Sequence, residues 1–145
     1  MKVVIQKVNQ ASVTINNKEI SKIGEGLLVF VAFTENDNIE TIKYMVNKII
    51  NLRVFEDENK VMNLSVKNLN KEILSVSQFT LYGDCSKGNR PSYIKSLNKD
   101  KAQILYNKFN EELIKTGLNI KTGIFHEDMK VSLINDGPTT IIIEK

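Results

Sequence analysis

A chain of 145 residues is long enough for one domain with a single sizeable core, and 41% hydrophobic with 26% charged residues is a composition typical of globular proteins in water. The formal charge of +3 permits an RNA partner but does not argue for one. With one cysteine and one histidine, the chain can build neither an intrachain disulfide nor a zinc site of thiolates and imidazoles.

The first part of the chain predicts strands. The segments MKVVIQKV and SVTINNKEISKIG read as strands around a turn at Asn16-Asn17, because asparagine tolerates a positive φ. The segment GLLVFVAF that follows is continuously apolar and rich in β-branched and aromatic residues. This pattern predicts a strand that is buried on both faces of a sheet.

Helical periodicity begins after this strand. Isoleucine and valine recur three and four residues apart, which predicts an amphipathic helix, and Asp37 with Glu40 resembles a capping box at its start. The recurring apolar positions are Ile39, Ile42, Val46, Ile49 and Ile50.

The rest of the chain alternates between the two patterns. RVFEDENK predicts a strand and a turn, KEILSVSQFTLYG a further strand, and DCSKGNRPSY a loop. A second helix is predicted from Lys99 to Thr116, where Gly117 supplies the C-terminal stop. The segments NIKTGIF, KVSLIN and TTIIIE read as the last of about eight strands.

These elements define the predicted fold class. No repeat, linker or shift in composition marks a domain boundary, so residues 1–145 are predicted to form a single domain. Two helices that alternate with runs of strands predict an α+β fold. We expect a curved, largely antiparallel β-sheet with a barrel-like core and two main helices.

Few residues offer familiar chemistry. His126 would have to complete a serine–histidine–carboxylate triad, but FHEDMK reads as a polar turn, which favours a solvated histidine. Cys85 lies beside Asp84, and a neighbouring carboxylate does not favour a thiolate nucleophile. GDCSKGNR lacks the spacing of a phosphate-binding P-loop. The acidic run 56–58 is interpreted as a solvated turn, with a weak magnesium site as the alternative.

The segment SQFTL, residues 77–81, differs from the apolar strands because polar and aromatic residues occupy a predicted strand end. Strand alternation places Gln78 and Thr80 on one face, with Ser77, Phe79 and Leu81 on the other. The residues alone leave two interpretations open, a functional site or an edge strand with a solvated face. No general base lies within the motif, which limits the mechanisms available to it.

Several segments together resemble the D-aminoacyl-tRNA deacylase family. In chain order they are VVIQKV, ASVTI, GEGLLVFVAF, SQFTLYGD, KGNRPSY and NDGPTT, and the resemblance covers essentially the whole chain. It implies a homodimeric proofreading hydrolase that cuts the ester between a D-amino acid, or glycine, and the 3′-terminal adenosine of tRNA. It implies aminoacyl-tRNA as the partner, with no cofactor, no metal and no DNA.

The resemblance also accounts for Gly137-Pro138, which interrupts an otherwise strand-like segment. Proline cannot donate a ladder hydrogen bond, and glycine has no side chain to pack. In the family this peptide bond is cis, and the dipeptide reaches into the pocket of the partner subunit. Its carbonyls receive the substrate ammonium there, and its backbone excludes an L side chain. Gly137 and Pro138 are therefore expected to form a chirality filter.

The resemblance assigns the remaining site residues as well. Backbone N–H groups near Phe79 and Thr80 are expected to act as oxyanion donors. We favour activation of water by the ribose 2′-hydroxyl over a Thr80 nucleophile, because no base accompanies this threonine. The residues expected to hold the adenosine and the ester are Ser77, Gln78, Phe79 and Thr80.

Two further residues, Lys7 and Asn135, are expected to support the Gly-Pro element. The family usually has arginine at the position of Lys7. Lysine keeps the charge but lacks the planar guanidinium group that can donate two parallel hydrogen bonds, so looser support of the Gly-Pro element is expected. Thr139 also departs from the family, where valine is common, although the β-branched shape is retained.

Two other functions remain open: a non-catalytic module that binds aminoacyl-tRNA, and a small-molecule esterase, for which a catalytic triad is missing. The chain has no apolar stretch long enough to span a bilayer, and its first ten residues lack the features of a signal peptide. We therefore expect a cytoplasmic location and no membrane partner.

Overall fold

A mixed six-stranded sheet and a separate two-stranded hairpin form the β-structure, and two helices share a core with one face of the sheet. The computed structural model describes residues 1–145. The strands are β1 (Lys2–Ile15), β2 (Lys18–Ile23), β3 (Gly26–Ala32), β4 (Arg53–Glu56), β5 (Met62–Ser65), β6 (Glu72–Ser77), β7 (Ile120–Thr122) and β8 (Lys130–Glu144). The helices are α1 (Ile39–Asn51) and α2 (Lys99–Ile114), and a 3₁₀ helix spans Phe79–Tyr82.

Several local predictions are confirmed. Asn16 and Asn17 adopt φ of 49° and 62° in the turn between β1 and β2. Gly117, with φ of 82°, follows the end of α2, where a positive φ favours glycine. The strand β3 is buried on both faces, as its continuous apolar sequence predicted. Neither helix is long and apolar enough to cross a membrane.

The predicted capping box at the start of α1 is wrong. The N-cap is Asn38, whose side-chain oxygen accepts from the backbone N–H groups of Glu40 and Thr41 at 3.0 Å each. Asp37 is engaged elsewhere, since one oxygen accepts from the N-terminal ammonium at 2.7 Å and the other from the Thr34 N–H at 2.8 Å. The same carboxylate therefore fixes the start of β1 rather than the helix.

The sheet is mixed, so the predicted, largely antiparallel architecture is confirmed only in part. Strand β1 pairs antiparallel with β2, β3 and β8, whereas β3–β6 and β6–β7 are parallel pairs. A larger apolar core lies between the sheet and the helices, and a smaller one lies on the opposite face. Register shifts around Val8 carry β1 from the larger core to the smaller, which gives the sheet its curved, barrel-like form.

Strand β8 is continuous through Gly137-Pro138, so the prediction of two separate strands is wrong. Asn135 pairs with Val8 and Thr140 pairs with Gln6, which leaves residues 136–139 opposite Lys7 alone. The Gly-Pro dipeptide thus lies in a bulge, and its peptide bond is cis, as expected. A proline is tolerated there because β8 pairs only with β1 and forms an edge of the sheet.

The acidic run between β4 and β5 forms a turn. Asp57 accepts from the backbone N–H groups of Asn59 and Val61 at 2.9 and 3.1 Å. The hydrogen bond from Val61 contributes most to holding the pKa of Asp57 below its usual value. The carboxylate therefore stabilises the hairpin that carries it, in agreement with its interpretation as part of a solvated turn.

Candidate active site

Strand β6 ends at Ser77, and the following residues turn into the 3₁₀ helix rather than continuing the strand. Ser77 pairs with Val31 near the end of β3, and the Gln78 N–H donates to the Val31 carbonyl at 2.8 Å as the last such contact. The alternation predicted for SQFTL is therefore wrong, because the motif leaves the sheet once its neighbouring strand ends.

This change of conformation leaves two backbone donors unused. The first N–H groups of a helix have no partner within it, and the N–H groups of Phe79 and Thr80 find no acceptor elsewhere in the chain. Both residues are exposed. The turn out of β6 therefore presents two adjacent N–H groups that can donate hydrogen bonds to an oxygen atom of a bound molecule.

The polar side chains of the motif bond to each other. Gln78 Nε2 donates to Thr80 Oγ1 at 2.6 Å, and no ionisable group hydrogen-bonds to either side chain. An amide is not basic at neutral pH, so Gln78 cannot remove the Thr80 proton. This arrangement suits positioning rather than nucleophilic attack.

A cleft of about 520 Å³ opens beside the motif. The ends of β3 and β6, the start of α2 and the turn at residues 125–129 line it. Ser77, Gln78 and Phe79 line this cleft, whereas Thr80 lies outside its wall and reaches it through Gln78. Of the four residues predicted for the SQFT site, three therefore line the cleft and the fourth contacts one of them.

The opposite wall of the cleft was not predicted. His126, Glu127 and Asp128 line it from an exposed turn, and His126 adopts a φ of 68°. The polar turn itself was predicted, but nothing in the sequence connects it with SQFTL, which is nearly fifty residues away. Its place in the cleft depends on β7 pairing parallel to β6, a non-local contact.

The Gly-Pro bulge lies apart from the cleft of its own chain. Gly137 and Pro138 are exposed, and neither lines the cleft. Gly137 has a φ of 115°, and a Cβ at this position would lie 2.8 Å from Thr139 Oγ1 and 3.0 Å from the Thr139 nitrogen. Only glycine fits this backbone without displacement.

Lys7 contacts the bulge through an ion pair. Its side chain is 7% exposed, its Nζ lies 3.1 Å from Asp136 Oδ2, and the ring of Phe55 lies 6.0 Å from the same nitrogen. Asp136 directly precedes Gly137, so a buried cation holds the first residue of the bulge. Asn135, by contrast, is exposed and contributes its backbone pairing with Val8.

Comparison with known proteins gives consistent matches. The chain matches the D-Tyr-tRNA(Tyr) deacylase family over residues 4–144. It is 58% identical over 145 residues to the D-aminoacyl-tRNA deacylase of Flavobacterium psychrophilum, with 99% of this chain and 97% of that protein covered. It is 50% identical over 145 residues to the D-aminoacyl-tRNA deacylase of Limosilactobacillus reuteri, with both chains fully covered.

Solved structures share the same fold. The c-Myc DNA Unwinding Element Binding Protein superposes with a TM-score of 0.95 at 44% identity, covering 100% of this chain and 99% of that one. A probable eukaryotic D-amino acid tRNA deacylase superposes with a TM-score of 0.84 at 21% identity, covering 98% and 97%, a likeness of fold alone. Since the family match spans nearly all residues and relatives reach half identity or better, the chain belongs to the D-Tyr-tRNA(Tyr) deacylase family.

Proposed function

We propose that the chain hydrolyses D-aminoacyl-tRNA, and glycyl-tRNA formed in error, to free amino acid and tRNA. Activity on D-aminoacyl-tRNA follows from membership of the family. The observation that carries the site assignment is the pair of unused N–H groups of Phe79 and Thr80 beside the cleft. A cleft of about 520 Å³ is in the range of small-molecule sites and can hold the terminal adenosine.

In the proposed reaction these two N–H groups donate to the ester carbonyl oxygen as it gains negative charge. Water attacks the carbonyl carbon, the bond from that carbon to the ribose 3′-oxygen breaks, and the water proton passes to the departing oxygen. The ribose 2′-hydroxyl relays this proton, since neither Gln78 nor Thr80 is a base. The Gln78 side chain holds the ribose and the water in position, and Thr80 fixes the Gln78 amide.

Gly137 and Pro138 of one subunit are proposed to enter the cleft of the partner subunit. Their exposure and their separation from the cleft of their own chain support this assignment. With the substrate ammonium and ester fixed, an L side chain would collide with the Gly137 backbone. A D side chain points away and glycine has none, so the filter selects by exclusion and accepts many D residues.

This arrangement requires a dimer. The edge strand β8 carries Ile134 and Ile142, which are 51% and 66% exposed, so an apolar edge is available for a partner. We expect sedimentation of the pure protein at micromolar concentration to give a species of about 33 kDa, twice the chain mass of 16.5 kDa. A fully active monomer would contradict the proposal.

The Lys7–Asp136 pair is expected to control both stability and selectivity. Asp136→Ala leaves a buried ammonium without a charged partner, whereas Lys7→Met leaves a carboxylate that is 45% exposed. We therefore expect Asp136→Ala to cost about 2 kcal/mol of unfolding free energy, below the 3–5 kcal/mol of fully buried pairs, and Lys7→Met to cost less.

Both variants should also reduce the ratio of deacylation rates for D- and L-tyrosyl-tRNA, because the Gly-Pro bulge loses its support. Lys7→Arg serves as the control, since it keeps the charge and adds a fork that can bind Asp136 through two hydrogen bonds. Chemical denaturation and the two rates are the measurements. A normal rate ratio in Lys7→Met would show that this lysine does not position the filter.

The proposed function is tested by release of free tyrosine from D- and L-tyrosyl-tRNA. We expect rapid release from the D-ester only. Phe79→Pro is a suitable inactive control, because it removes one N–H while proline suits the first position of a helix. A non-catalytic module would bind D-tyrosyl-tRNA without releasing tyrosine, and a small-molecule esterase would cleave simple esters that carry no RNA.

A further inference from the structure

A loop lies beside the cleft and has no role in the site described above. It spans residues 83–95, and the backbones of Asp84 and Ser92 bond to each other in both directions at 2.9 Å. Tyr93 lies against Phe79 with ring centroids 5.1 Å apart. Because Phe79 and the residues that follow the loop line the cleft, the loop stands at its rim.

The loop concentrates cations that have no partner within the chain. Lys87 and Arg90 are exposed in the segment between Asp84 and Ser92, and neither forms an ion pair. The loop carboxylate of Asp84 accepts from the Ser86 N–H at 2.9 Å, which holds its pKa below the usual value, and it lies 4.0 Å from Lys95 Nζ. The loop tip therefore carries two exposed cations that are free to pair with an anionic ligand.

The two rims of the cleft differ in charge. Glu127 and Asp128 line the wall that the turn at residues 125–129 provides, and Lys99 lines the wall nearest the loop. The phosphates of a nucleic acid strand that ends in the cleft are repelled by the acidic wall and attracted to the wall that carries Lys99. The chain as a whole carries only +3, so this attraction is local.

Exposed apolar groups accompany these cations. Phe79, Tyr93 and Ile94 are 56%, 38% and 92% exposed at the same rim. Cations interleaved with aromatic rings are typical of surfaces that bind single-stranded nucleic acid, where phosphates meet the charges and bases stack on the rings.

We propose that the loop at residues 83–95 binds the unpaired 3′ strand of the RNA directly upstream of the terminal nucleotide. Lys87 and Arg90 contact its phosphates, and Tyr93 stacks against a base. The proposal rests on the proposed function, because it assumes that the terminal nucleoside occupies the cleft. The loop supplies affinity for the RNA body and takes no part in the chemistry at the ester.

The test compares substrates with and without phosphates. In Lys87→Ala/Arg90→Ala we expect kcat/KM for D-tyrosyl-tRNA to fall about tenfold at low salt, and kcat/KM for 3′-D-tyrosyl-adenosine to stay unchanged. The slope of log kcat/KM for the tRNA against log salt should decrease by about 1.4, which corresponds to two phosphate contacts on a single strand. The control variant Lys18→Ala/Lys108→Ala, at exposed positions outside the cleft, should leave kcat/KM unchanged for both substrates.

A binding measurement separates this proposal from the proposed function. Fluorescence anisotropy of an acceptor-stem minihelix that carries no amino acid should show about tenfold weaker binding to the Lys87→Ala/Arg90→Ala variant. This result is expected whether or not the unmodified protein hydrolyses an ester. Unchanged minihelix affinity, or an equal loss of kcat/KM on tRNA and on the adenosine ester, would overturn the loop proposal. Failure of the unmodified protein to cleave either ester would instead overturn the proposed function.

Discussion

Gly137→Ala is expected to lower the rate of tyrosine release from D-tyrosyl-tRNA by about a hundredfold, and the rate on glycyl-tRNA by a similar factor. The added Cβ would lie 2.8 Å from Thr139 Oγ1 at a φ of 115°, so the backbone of the bulge must move. In the proposed site this backbone touches the substrate, and a displacement of about 1 Å at a reacting group is enough for such a loss.

A matched variant separates displacement of the filter from general backbone strain. Gly117 also has a positive φ, of 82°, and a Cβ there would have no neighbour within 4 Å. Gly117→Ala should therefore lower stability while both deacylation rates stay near those of the unmodified enzyme. If Gly137→Ala folds, remains dimeric and keeps its rate on D-tyrosyl-tRNA, the Gly-Pro bulge is not the filter.

Removal of the ribose 2′-hydroxyl from the terminal adenosine is expected to reduce turnover by about a hundredfold or more, since this group replaces the missing general base. Thr80→Val should cost less than about tenfold, because it removes a positioning contact with Gln78 and no nucleophile. The measurement is single-turnover release of D-tyrosine from tRNA aminoacylated at the 3′ position. The terminal adenosine carries either the 2′-hydroxyl or hydrogen at the 2′ position.

A 2′-fluoro terminus is the control for this experiment, as it keeps a substituent at the 2′ position without a proton to transfer. It should behave like the 2′-deoxy terminus if proton transfer matters, and like the hydroxyl if the substituent only fills space. An acyl-enzyme trapped on Thr80 would refute the water mechanism directly.

The helices could be predicted from the sequence because their signals are local. The apolar spacing from Ile39 to Ile50 fixes α1, and Gly117 marks the end of α2. The sequence alone does not distinguish Asp37 from the adjacent Asn38 as the cap of α1, because both residue types suit that role. A contact with the distant N-terminus decides between them.

The sheet and the turn of SQFT could not be predicted in the same way. Whether residues 78–81 continue a strand depends on where the neighbouring strand β3 ends, and the sequence of the motif does not contain that information. The bulge at residues 136–139 likewise depends on pairing with β1, more than a hundred residues earlier.

The candidate site could be predicted only in part. The resemblance predicts its residues, whereas the residues alone leave SQFTL open between a site and an edge strand. Asp136 was missed because an acidic residue beside a glycine and a proline is ordinary for a turn. The structure shows that this carboxylate has a specific partner, because it lies 3.1 Å from the ammonium of Lys7, whose side chain is only 7% exposed.

The most direct test of a site shared between subunits is activity after mixing two inactive variants. One carries Gly137→Ala and retains an intact SQFT motif, and the other carries Phe79→Pro and retains an intact Gly-Pro bulge. Random exchange of subunits makes half of the dimers mixed, each with one complete site, so deacylation of D-tyrosyl-tRNA should recover to about a quarter of the unmodified activity. If mixing restores nothing although exchange is verified, the filter and the cleft do not belong to different subunits.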